Sequence, residues 1–391
     1  MSNLTRRDFA LGLGASALAT PALAQMALPK SPVALNVIDV AGNLALTRPA
    51  IENFAKANPA IVSHIAFAQA PAPELPAKIK AQQSASHVDI DLVLTGTDAL
   101  AAGIQEGLWT ELTILHQADL PKLDDIYLPA AARMQKLARG QGVCVNYYPS
   151  GPLFEYMPDQ VAKPPATAEE LLAYTRQNKN RFLYARPANS GPGRTLLMGL
   201  PYILGDSDPS DPVKGWDKTW AYLKALGENI EYYPSGTGVT MKELGEGSRD
   251  MVASTTGWDI NPRAVGIVPK EARVFALAGM HWVADAQYMC APKGLADDRL
   301  AATLALMRHL LKPESQAYAY DKGYFYPGPA VKNVTLAMAP QESQDVIKEF
   351  GRPEYDEWIA SRPIELPLEA TAMVTAFKLW DQQIGAAKNK G

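Results

Sequence analysis

The apolar run in "VALNVIDVAGN" predicts a short strand that ends in a Gly42-Asn43 turn, and from Arg48 to Ala57 the spacing becomes that of a helix. "IVSHIAFA" predicts the next strand and "ELPAKIKAQQSA" the next helix. "VDIDLVLTGTDALAAGIQEGLWTEL" then reads as strand, loop, helix and turn. Such β-α alternation implies a parallel sheet with helices on both faces. Ligands sit beyond the carboxyl ends of strands in these sheets, so Ala41 to Asn43 and Thr95 to Asp98 are candidate walls; tight βα connections are the plainer alternative.

A second series follows "GQGVCVNYYPSG". It holds a helix led by prolines, with Thr167 and Glu170 spaced as a capping box, a strand from Phe182 to Ala185, and the stretch "RPANSGPGRTLLMGL". There Asn189, Ser190, Gly191, Gly193 and Arg194 stand at the start of an apolar helix. Unpaired N–H groups, small residues and a guanidinium fork at such a place suit an acceptor-rich or anionic group, although a capped loop has the same composition. "GWDKTWAYLKALGENIEYYPSGTG" predicts a helix followed by a strand, and "RDMVASTTGWDINPRA" a strand ending at Gly257-Trp258-Asp259. "AGMHWVADAQYMCAPKG" reads as a return strand and "DDRLAATLALMRHLL" as an apolar helix. The chain thus enters a second lobe and comes back, with no repeat of 20–50 residues and no low-complexity linker. Two crossing strands are the expected hinge, pivoting around Val143 to Asn146 and Tyr288 to Pro292.

The first residues, "MSNLTRRDFALGLGASALATPALAQ", resemble a twin-arginine export signal: Arg6 and Arg7, a moderately apolar run, and Ala22-Leu23-Ala24 before Gln25 as a cleavage site. The run is about half the roughly 20 residues that a membrane span requires. A periplasmic mature chain from residue 25 is expected, long enough for two lobes. With 47% hydrophobic and 20% charged residues the composition is globular, and no basic stripe suggests nucleic acid. Cys144 and Cys290 permit one bridge in an oxidising compartment, but both lie in apolar, strand-like runs where a cysteine usually serves as a small buried hydrophobe.

Catalytic patterns are absent. The mature sequence has no H-E-x-x-H, no G-x-S-x-G, no G-x-x-x-x-G-K-[ST] and no G-x-G-x-x-G after a strand, and its five histidines lack ligand spacing. No catalytic residue, metal or cofactor is expected. Aromatic residues beside turns stand out instead, among them Tyr147, Tyr148, Tyr232, Tyr233, Trp258, Trp282, Tyr324 and Tyr326. Rings next to small polar residues provide the apolar walls and directed polar groups of a ligand site, while core packing is the alternative for each.

The order of segments resembles that of the periplasmic solute-binding proteins of ABC importers, type 2, the group that includes spermidine/putrescine-binding and ferric-ion-binding proteins. It rests on "AIENFAKANP", "DIDLVLTGTDALAAGIQEGLW", "GVCVNYY", "ATAEELL" before "NRFLYARP", and "LLKPESQAYAYDKGYFYPGPAVK". The resemblance implies an α/β, two-lobe fold, each lobe a sheet flanked by helices. Lobe one would hold residues 30–143 and about 285–330, and lobe two 144–284 and about 331–391. It also implies a monomer that closes over a small organic solute and presents it to an ABC permease; a binding subunit that feeds a sensor and an exported enzyme on this fold are the alternatives. Gly42, Asn43, Thr95, Gly96 and Thr97 would supply contacts from lobe one, and Asn189, Ser190, Gly191, Arg194, Trp258 and Asp259 from lobe two; Trp282, Asp285 and Tyr324 complete the expected set. Polyamine binders carry acidic residues where Asn189, Ser190 and Arg194 stand here. An anionic or zwitterionic solute is therefore expected, with a polyamine as the alternative, and Arg194 should be dispensable for stability.

Overall fold

The computed structural model describes residues 25–71 and 74–388, so the expected twin-arginine signal lies outside the described residues. The described strands are β1 (Val33–Asp39), β2 (Val62–Gln69), β3 (Leu92–Gly96), β4 (Val143–Gly151), β5 (Leu153–Tyr156), β6 (Phe182–Leu183), β7 (Met251–Ser254), β8 (Arg273–Phe275), β9 (Trp282–Cys290), β10 (Gly328–Pro329) and β11 (Ile364–Glu365). They form two sheets. One has seven strands in the order β10-β4-β9-β3-β1-β2, with β11 on β9; the other has the order β6-β7-β5-β8. Each sheet, with the helices packed on it, is called a lobe below.

β1 pairs in parallel with β2 and β3, as the β-α alternation predicts. The sheets are nevertheless mixed, because β9 returns from the second lobe and enters antiparallel between β3 and β4. β5 likewise runs antiparallel to β7 and β8. β4 and β9 are buried along their whole length and stay paired from Val143↔Met289 to Gly151↔Val283, so the segments expected to pivot lie inside the seven-stranded sheet. The chain passes between sheets at the other ends of these strands, at Pro152 and between Phe275 and Trp282.

The strand expected in "ENIEYYPSGTG" does not form. Asn180 N–H donates to Asn229 O at 2.9 Å and Arg186 N–H to Pro234 O at 2.9 Å, so the segment runs beside β6 without a continuous ladder, and Pro234 offers no N–H to extend one. The Thr167 cap forms as predicted: its side chain accepts from Glu170 N–H, and the Glu170 carboxylate accepts from Ala166 N–H.

Separate apolar cores support the two sheets. The C-terminal helix Ala370–Gln383 places Trp380 in the second, with its ring 4.9 Å from Tyr233 and its Nε1 donating to Tyr184 Oη at 3.1 Å. Such aromatic pairs add about 0.5–1.5 kcal/mol beyond area burial. The same helix packs on Thr97–Gln105 of the first lobe, and so touches both lobes. Cys144 and Cys290 are buried free thiols, pushed up from their ordinary pKa by burial.

Candidate functional site

Five helices begin at one cavity of about 490 Å³ between the two lobes. Leu44–Ala57 and Thr97–Gln105 approach it from the first lobe, and Gly191–Leu204, Thr237–Gly245 and Thr256–Ala264 from the second. Each amino end brings unpaired N–H groups and a partial positive charge. The protein satisfies several of them itself. Asp39 accepts from the N–H groups of Ala41, Asn43 and Leu44, Ser190 Oγ from Gly193 N–H, and Thr255 Oγ1 from Trp258 N–H. Burial raises the Asp39 pKa, while these backbone donors act the other way. Thr237–Gly245, whose N-cap is Gly236, has no side-chain cap. Its Thr237 hydroxyl lies 2.7 Å from that of Ser190, which joins two helix starts into one polar wall.

The charged centre is Arg194, which is almost fully buried. One end of its guanidinium donates to Asp285 Oδ2 and the other to Asp98 Oδ2 at 3.2 Å. Burial disfavours its charge, but the two carboxylates outweigh that and raise its pKa further. Asp285 also accepts from Tyr148 Oη at 3.0 Å, Thr97 Oγ1 at 3.1 Å and its neighbour Ala286 N–H at 2.9 Å. The strand register explains this convergence, since Tyr148 on β4 stands directly opposite Asp285 on β9 and Asn146 opposite Gln287. The Tyr148 hydroxyl is held well above its usual pKa by burial and by the Asp285 charge, so it serves as a donor.

The apolar wall is aromatic. Trp258, Tyr324 and Phe325 follow one another edge to face, and Phe325 meets Tyr148 in the same way. Glycines permit the packing: a Cβ on Gly42 (φ +73°) would lie 2.8 Å from Tyr324 Oη, and one on Gly257 would lie 1.9 Å from Tyr324 O. Burial raises the Tyr324 hydroxyl to about 12, with the Asp39 charge contributing. Among the described residues, no group of three or more His, Cys, Asp or Glu is placed to hold a metal ion.

The family model of bacterial extracellular solute-binding proteins matches residues 49–348. This chain belongs to that family. No curated protein sequence matches it significantly. Among solved structures, this solute-binding protein is similar to an ABC transporter from Clostridium perfringens (TM-score 0.64, 14% identity, 91% of this chain and 100% of that one covered). It is also similar to the apo ferric ion-binding protein A of Pasteurella haemolytica (0.62, 17%, 90% and 97%) and to a putative spermidine/putrescine ABC transporter from Listeria monocytogenes (0.60, 15%, 89% and 99%). At these identities the likeness is one of fold: a two-lobe, type 2 binding-protein architecture.

Within the solute-binding protein, Gly42, Gly96, Asn189, Ser190, Gly191, Arg194, Trp258, Asp285 and Tyr324 all line the cavity. Five other expected residues do not. Asn43 and Thr95 are fully buried, Asn43 donating to Gln287 and Thr95 to Gly96 O. Thr97 points at Asp285, behind the cavity surface. Asp259 is turned away from the cavity into an ion network, where it accepts from Arg263, Arg352 and Tyr355 and ties its helix to the C-terminal segment. Trp282 is core, its Nε1 donating to Trp358 O at 3.0 Å. For Asn43, Thr95, Thr97 and Asp259 an adjacent residue lines the cavity instead, an orientation that spacing alone does not reveal.

Ser235, Thr237, Gln287, Phe325 and Pro71 also line the cavity and are missing from the expected set. "SGTG" before a helix carries the same small-residue signal as "NSGPG". Gln287, two residues beyond Asp285 on one strand face, follows from the period of two.

Proposed function

We propose that this protein is the extracytoplasmic component of an ABC-type importer, exported through its twin-arginine leader, which captures a small zwitterionic organic solute and delivers it as a monomer to a membrane permease. The observation that carries the reading is the composition of the cavity wall. Helix amino ends and hydroxyls suit an acidic group, while Asp98, Asp285 and a row of rings suit a cationic or polar end. Arg194 is shared between two carboxylates, so a solute bearing both charges fits better than a simple anion. Contacts from both lobes would favour the closed arrangement, the passages at Pro152 and between Phe275 and Trp282 acting as pivots. Neighbours of this fold include a periplasmic thiamin binding protein and a binding protein with fructose-6-phosphate bound, in keeping with an organic solute.

A polyamine is the second reading, because the two carboxylates lining the cavity outnumber the single arginine. A thermal-shift panel on protein stripped by unfolding and refolding separates the two. Amino acids, betaines, dicarboxylates, sugar phosphates and polyamines are each added in excess. A ligand at a hundred times its Kd stabilises by about 2.7 kcal/mol. A zwitterion should raise the melting temperature of wild type and have less effect on Trp258→Ala; a shift from polyamines alone would reverse the assignment.

A further inference from the structure

The ion pair between Arg194 and Asp98 joins the first turn of a second-lobe helix to the first turn of a first-lobe helix across the cavity. Asp98 is the less buried of the two carboxylates on Arg194, its side chain 15% exposed against 3% for Asp285. Its other oxygen accepts from Ala99 N–H at 2.8 Å, which fixes the carboxylate toward the guanidinium. Asp285 is anchored by Tyr148, Thr97 and its own strand, whereas Asp98 stands where a solute's acidic group would approach Arg194. The geometry points to Asp98 as a specificity-determining residue: an internal competitor that occupies one edge of Arg194 and excludes simple anions from the cleft.

This rests on the cavity being the solute site, and it adds a selection rule. With Asp98 ionised, the charged residues lining the cavity, Asp98, Asp285 and Arg194, sum to one negative charge. A bare anion then meets like charge at close range and loses a hydrogen-bonding edge of Arg194 that is already taken. A solute that carries its own cationic group compensates Asp98 and can still place acceptors on the helix starts. Replacing the carboxylate by the isosteric amide would keep the Ala99 cap through its carbonyl oxygen, leave Arg194 paired with Asp285, and make the lining neutral.

Inorganic phosphate at pH 7 is the probe, added to stripped full-length mature protein and followed by calorimetric titration. Asp98→Asn should bind phosphate about tenfold to a hundredfold more tightly than wild type, equivalent to one charge-assisted contact. The gain should vanish in Asp98→Asn/Arg194→Met. Phosphate affinity in Asp98→Asn equal to wild type, or a gain that survives loss of Arg194, would overturn the proposal. Circular dichroism and melting confirm that each variant is folded; if Asp98→Asn is not, Asp98→Ser, which also offers an oxygen to Ala99 N–H, is titrated in its place under the same criteria. Failure of the solute-site reading would show separately, as wild type that neither retains nor is stabilised by any organic solute, and would leave the phosphate comparison standing.

Discussion

Replacing Arg194 by alanine should destabilise the solute-free protein, contrary to what its position at a helix start suggests. Near a helix amino end a cation is misplaced with respect to the macrodipole, and that effect costs about 0.3–1 kcal/mol at exposed sites. The structure opposes it with a larger one. The Arg194 side chain is 8% exposed and bonded to Asp285, which is 3% exposed, so truncation leaves a carboxylate buried without its cation. Breaking a buried pair from one side costs about 3–5 kcal/mol. Asp285 keeps its donors Tyr148, Thr97 and Ala286, and Asp98 can rehydrate, which places the loss at the lower end, about 3 kcal/mol. For a chain of this length, extending the size scaling of melting to about 1–2 °C per kcal/mol gives a fall of roughly 3–6 °C. Scanning calorimetry on stripped protein measures it, and Arg194→Ala/Asp285→Asn should recover part of the loss because the uncompensated charge is gone. Arg194→Ala melting with wild type or above it would refute the reasoning.

Gly257→Ala should lower the urea midpoint by an amount equivalent to about 1–3 kcal/mol or more, since its Cβ would meet Tyr324 O at 1.9 Å and push the aromatic wall aside; an unchanged midpoint would mean that the two segments do not approach in solution. Glu155 is fully buried, and desolvation, then the nearby Asp259 charge, raise its pKa. Stability linked to its proton is fully present below the unfolded value, about pH 4.3, and is lost as pH rises through the raised folded value, so Glu155→Gln should melt above wild type at pH 8 and converge with it near pH 4. Both cysteines should resist a thiol reagent in the native protein and react as two free thiols after denaturation; a bridge would show as none reacting in either state.

Much of the first lobe was legible because its strands and helices alternate with clean turns: "VALNVIDVAGN" is β1 and the turn that meets Tyr324, and "TGTD" is the end of β3 and the start of a helix. The start of the Gly191–Leu204 helix was equally readable from Ser190 and its glycines. Side-chain direction was not. Asp259 and Trp258 are adjacent, yet one enters an ion network with Arg263 and Arg352 while the other faces the cavity. Residues from distant parts of the chain choose between them, with Arg352 arriving 93 positions later. The same holds for Arg194, whose partners Asp98 and Asp285 lie 96 and 91 positions away, so that the effect predicted for its removal differs from the one its helix position suggests. The antiparallel entry of β9 likewise depends on a return from the other lobe that local periodicity does not encode.

The central claim, a cleft that takes one small organic solute bearing both charges, is tested most directly by native mass spectrometry of the exported protein purified without unfolding. The account predicts a single added mass per chain, whose exact mass and fragments identify a compound with both an acidic and a basic group, retained less by Trp258→Ala than by wild type. A bound polyamine, a metal ion, or an added mass indifferent to Trp258 would contradict it.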